Sequence, residues 1–136
     1  MRTTMAVVLL LLAACTGPAE PAISGFVKLG ALRGTPPEAA ELTGDIGDAT
    51  YRALGQVSAG DDERARELLT RPRAAGTRTF AFVEPGCAET GAVPVLTGDV
   101  LDVRLTGGAN TACAQAAYFL VTVTAEDPDN RLRLRA

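Results

Sequence analysis

From Thr77 to the C-terminal end the chain repeats with a period of two, and this alternation most constrains the fold. Phe80 and Phe82 alternate with Thr79, Ala81 and Val83, which predicts a strand with one aromatic face. Val93–Leu96 and Val100–Leu105 flank Thr97-Gly98-Asp99 and read as a hairpin. In its second arm Leu101, Val103 and Leu105 share one face, and Asp102 and Arg104 share the other. The segment 116–123 is almost wholly apolar, so it is expected to be a central strand buried on both faces. Asp127-Pro128-Asp129-Asn130 reads as a hairpin turn built on Asx chemistry. It leads into Arg131-Leu132-Arg133-Leu134-Arg135, a half-buried strand with leucines in and arginines out.

The first half is less periodic. Residues 23–32 and 50–57 are expected to be strands, the second with Tyr51 and Ala53 on one side and Arg52 and Leu54 on the other. Thr35 and Glu38 have capping-box spacing around Pro36, enough for one helical turn, and 44–48 reads as a turn. Residues 61–70 predict the one helix: Asp61, Asp62 and Glu63 lead, Arg66 and Arg71 trail, and Pro72 stops it. About six short strands with glycine-bearing turns and one short helix predict a mainly β fold, a β-sandwich or a small β-barrel.

The N-terminal end carries a different pattern. Arg2 precedes an unbroken apolar run from Met5 to Ala14, too short for the roughly 20 residues of a membrane-spanning helix. A cation, a short apolar stretch and small residues before a cut site describe an export signal. The end of the run, Leu12-Ala13-Ala14-Cys15, resembles the lipobox of bacterial lipoproteins. That resemblance implies cleavage after Ala14 and a diacylglyceryl thioether on Cys15, and two acyl chains anchor stably. Residues 1–14 are then a signal peptide, 15–22 a lipidated tether rich in Pro and Gly, and 23–136 one extracytoplasmic β-rich domain.

With Cys15 committed to lipid, Cys87 and Cys113 remain in an oxidising setting, and an even pair there suggests a disulfide. Two free thiols, or half of a metal site completed by carboxylates, are the alternatives. Segments from Thr77 to Val123 also resemble a pattern in secreted lipoproteins of actinobacteria. They are 76–83, Gly86-Cys87-Ala88-Glu89-Thr90, Leu105-Thr106-Gly107-Gly108, Cys113 and Tyr118-Phe119-Leu120. This likeness supports the disulfide and transfers no activity or catalytic residue.

The chain has no histidine, so Ser-His-Asp, Cys-His and His-based zinc chemistry cannot be built. The serines are Ser24 and Ser58, and Lys28 sits one residue too far from Ser24 for a Ser-x-x-Lys motif. Carboxylates for glycoside hydrolysis exist at Asp61, Asp62 and Glu63, and at Asp99 and Asp102. Each group also fits a plainer place, a helix N-terminus or a turn and strand surface. The run from Asp127 departs from a calcium loop at Arg131 and Leu132, and Asp45 and Asp48 around Gly47 read as a turn. Phe80, Phe82, Tyr118 and Phe119 read as core. Arg131, Arg133 and Arg135 suit contact with an anionic lipid surface or acidic partner, or charges that stop an edge strand from pairing.

The net charge of -3 becomes -4 without Arg2, which argues against a nucleic-acid partner. Twelve arginines stand against one lysine, a bias that carries no function. The expected protein is a lipoprotein anchored to the cell membrane through Cys15 and facing outward. Its small β-domain is non-catalytic, needs no cofactor or metal, and binds an envelope protein or glycan or plays a structural part. A carboxylate-dependent envelope hydrolase is the alternative.

Overall fold

The computed structural model describes residues 20–58, 62–108 and 112–136. Their strands form two sheets. The larger has the order β1 (Ala22–Gly30), β6 (Ala117–Glu126), β3 (Thr77–Gly86) and β2 (Ala40–Glu41). The smaller has the order β4 (Gly91–Thr97), β5 (Val100–Thr106) and β7 (Arg133–Leu134). Neither closes into a barrel, so the sandwich reading holds. Two helices, α1 (Ile46–Val57) and α2 (Glu63–Thr70), pack on the outer face of the larger sheet.

The period-two segments fold as their patterning demands. β6 is flanked by β1 and β3, with Phe80 opposite Val123 and Phe82 opposite Val121. Those four side chains join Leu101 and Val103 of β5 in the core between the sheets. The alternate positions Ala81 and Leu120 turn the other way, onto Leu54, Ala65 and Leu69 of the helices. Fully burying one such side chain contributes about 1.5–3 kcal/mol, so this two-faced middle layer dominates the packing energy. Pro94 lies in β4, an edge strand, where a residue without an N–H is tolerated.

The structure corrects several expectations. Residues 50–57 belong to a helix, α1, so the described residues hold two helices rather than one. Its buried positions Gly47, Thr50 and Leu54 have helical spacing, and burial against α2 outweighs the short apparent alternation. At Gly47 the two helices approach closely: a Cβ there would lie 2.0 Å from the carbonyl oxygen of Leu69. No helical turn follows Thr35; that stretch is loop leading to β2. The one predicted helix does form, as α2, with Asp62 as its N-cap accepting from the N–H groups of Arg64 and Ala65.

The Asp127 turn is not a hairpin. It carries the chain from β6 in one sheet to β7 in the other, where β7 runs parallel to β5. The Asx chemistry is present, since the Asp127 carboxylate accepts from the N–H groups of Arg131 and Leu132. β3 also continues through Pro85-Gly86, with Gly86 opposite Ala117. Cys87 follows directly, and its bond to Cys113 clasps the end of the β3–β6 ladder with a Cα separation of 5.8 Å. The opposite end of the sheet, where Glu20 and Pro21 lead into β1, is called the entry end below.

Candidate functional site

Threonines at alternate positions of two neighbouring strands build the first feature of the entry end. Thr77 and Thr79 of β3 and Thr122 and Thr124 of β6 project toward the helices, and Ser24 of β1 joins them. Ser24 Oγ donates to Thr122 Oγ1 at 3.0 Å, and the hydroxyls of Thr79 and Thr124 share a bond of 3.3 Å. Thr77 Oγ1 donates to the carbonyl of Ala74 at 2.7 Å. With Leu68 and residues 71–74 after α2, these hydroxyls line a hollow of about 160 Å³ with no carboxylate in its lining among the described residues.

Two arginines edge this hollow. Arg71 is held at 3.0 Å by Glu67 one turn back. Arg73 donates through Nη2 to the carbonyl of Leu69 at 2.9 Å, and its buried Nε has no partner among the described residues.

A second hollow, about 310 Å³, lies on the other side of the entry end. It is lined by Glu20, Pro21, the β4–β5 turn at Leu96, Gly98 and Asp99, and the crossing at Glu126, Asp127, Arg131 and Leu132. Two of its lining residues, Asp127 and Leu132, are tied down by Arg78. That guanidinium donates to both Glu41 carboxylate oxygens at 2.9 and 2.8 Å, to Asp127 and to the carbonyl of Leu132. It also stacks over Phe80, 4.9 Å from the ring centre. The bond from Arg78 is the main reason the Glu41 carboxyl titrates below its ordinary range. Burial alone would raise the Asp127 carboxyl, but the N–H groups of Arg131 and Leu132, and then Arg78, hold it low.

No family model, curated protein or solved structure matches this chain.

The residues singled out from sequence are scattered. Cys15 and Asp61 lie outside the described residues, while Cys87 and Cys113 are bonded to each other. Of the arginines in the last segment, Arg135 is bound at 3.0 Å to Asp102, and Arg131 lies 3.7 Å from Asp129. Arg133 is exposed on β7, at the edge of its sheet. They therefore do not present three free charges in a row, and their place fits protection of an edge. Asp99 lines the larger hollow and Asp62 is spent as a helix cap. Phe80, Phe82 and Phe119 are core, and Phe119 stacks on Phe26 with ring centres 5.2 Å apart. Among the described residues no three His, Cys, Asp or Glu side chains come together to hold a metal ion.

Sequence reading missed Glu84. Burial, and secondly the charge of Asp102, raises its carboxyl above the ordinary range, against the pull of Arg135. A raised acid beside a second carboxylate is an acid–base pattern, yet neither hollow described above is lined by Glu84 or Asp102. The threonine row was also missed. Its signal lies in Thr77/Thr79 and Thr122/Thr124, hydroxyls two apart on paired strands.

Proposed function

We propose that this chain is an outward-facing lipoprotein, held to the cell membrane by lipid on Cys15, whose domain binds an envelope component without catalysing a reaction. The anchoring half rests on the leader and the Leu-Ala-Ala-Cys sequence ending at Cys15. The binding half rests on one observation: the entry end carries two hollows, one of them lined by five hydroxyls and two arginines. A fully extended chain gains at most ~3.6 Å per residue, so a lipid on Cys15 keeps Glu20 within roughly 20 Å of the bilayer surface. The entry end then faces the membrane side of the envelope. Cys15→Ser is expected to remove the diacylglyceryl mass and release the protein from membranes. In intact cells, crosslinking from the entry end is expected to yield one dominant adduct; a smear of adducts would overturn the binding reading.

The hydrolase reading draws on Glu84 and Asp102. Turnover of an envelope glycan or ester that disappears in Glu84→Gln would favour it over binding.

A further inference from the structure

We infer that the hydroxyl-lined hollow at the entry end is a binding site for a small oxyanion, a carboxylate or phosphate group carried on a compact molecule. The inference deepens the binding reading above and is independent of the lipid anchor. It follows from counting donors against acceptors. A hydroxyl offers one proton and two lone pairs. In the Ser24–Thr122 pair Ser24 gives its proton, so the proton of Thr122 remains to be placed. In the Thr79–Thr124 pair one proton is used and the other remains. Thr122 is only 2 % exposed, so its spare donor has little access to bulk water. The buried Nε–H of Arg73 is a further donor without an acceptor.

Two spare hydroxyl protons and the two edging arginines thus belong to a hollow of about 160 Å³ whose lining, among the described residues, holds no carboxylate. An unmet buried donor costs about 1–3 kcal/mol, and hydrogen bonds to a charged acceptor are the stronger kind. A ligand bringing only acceptor oxygens can accept from the spare hydroxyls and suits the positive charge of Arg71 and Arg73; a cation or an apolar molecule does neither. Leu68, Pro72 and Ala74 give the rest of the wall an apolar character, which suits a short carbon skeleton behind the anionic group. The nearest competitor is Glu67, which already occupies Arg71 at the rim. Gly25 shapes the site from β1. A Cβ there would lie 2.6 Å from both Thr122 Oγ1 and the Leu68 methyls, so any larger residue would push the hydroxyl row and the lid of the hollow apart.

The test is an NMR titration of the full chain in neutral detergent, at fixed ionic strength, with acetate, inorganic phosphate and chloride. Saturable shifts are expected at the backbone amides of Thr79, Thr122 and Thr124 and at the Arg73 Nε–H, with acetate or phosphate and not with chloride. Whichever oxyanion binds more tightly identifies the carboxylate or phosphate class. Arg73→Lys, which keeps the charge and loses the guanidinium at the edge of the hollow, is expected to weaken binding about tenfold. Thr122→Val is expected to do the same. Glu67→Gln, which frees Arg71, is expected to tighten it, an effect a purely structural role would not produce. Absence of saturation, or equal affinity in the native chain and both Arg73→Lys and Glu67→Gln, overturns the proposal and means that the hollow holds water only. Absence of acyl mass on Cys15 of the native chain would refute the anchor and leave this result untouched; a flat titration refutes this site and leaves the anchor untouched.

Discussion

Arg78 ties together residues that are far apart in the chain: Glu41, Asp127 and Leu132. Its side chain is 16 % exposed and that of Asp127 5 %, whereas Glu41 is 30 % exposed. Arg78→Ala leaves Asp127 buried with only two backbone donors. A loss of about 2 kcal/mol in urea unfolding at pH 7 is expected, below the 3–5 of a fully buried pair because water reaches Glu41. The pH dependence has a definite sign. Both carboxyls titrate below their ordinary values in the folded protein. Their contribution is therefore complete above the unfolded value near pH 4 and is lost as pH falls through the folded one. The native and Arg78→Ala unfolding curves are expected to converge only in that acid range; convergence between pH 7 and 5 would rule the pin out. Glu84 acts oppositely. Its raised value means that ionisation costs stability as pH rises through it, and that the cost is absent below the unfolded value.

The two helices depend on a close approach rather than on strong propensity. Gly47 brings α1 against the carbonyl of Leu69, where a methyl would sit at 2.0 Å. Gly47→Ala is expected to lower stability by about 1–3 kcal/mol, despite the better helix propensity of alanine, because the helices must move apart. Thermal unfolding followed by circular dichroism checks it. Gly55→Ala, on the same helix with open space around it, is the matched control and is expected to be neutral or stabilising. The same helices show what could be read from the sequence and what could not. The strands beyond Thr77 were legible because each buries one or both faces of a regular alternation. The helix 46–57 was not, because its buried face is made of Gly47, Thr50 and Leu54, and two of those three are not apolar markers. The Asp127 turn was legible in its hydrogen bonding and not in its destination. An Asx turn fixes only the local chain direction, while Leu132 and Leu134 choose the second sheet by packing into the core between the sheets. The candidate site was the least legible. Its donors come from three strands and a loop, and only the strand pairing brings them together.

At the scale of the molecule, two devices hold the ends of the larger sheet. The Arg78 network holds the entry end, and the Cys87–Cys113 bond clasps the other. The bond spans 26 residues, and closing such a loop restricts the unfolded chain by about 3–4 kcal/mol. Reduction, or Cys87→Ser with Cys113→Ser, is expected to lower stability by about that amount. The β3–β6 register is expected to persist at the Arg78 end and fray at Gly86–Ala117, which hydrogen exchange resolves residue by residue. Uniform loss of protection along both strands would show that the clasp does not act locally.

The pairing of β1 with β6 sets a timetable. Ser24 and Thr122 are 98 positions apart, and β1 has no other sheet neighbour. A chain made or threaded N-terminus first therefore presents β1 without its partner until nearly all the rest has emerged, roughly 5–20 s at ordinary synthesis rates. Residues 22–30 then carry Ile23, Phe26, Val27 and Leu29 as an open edge that any neighbouring chain can pair with. The hazard for this protein lies in the interval before it is finished, and a holding factor that covers its first strand during that interval would govern its yield.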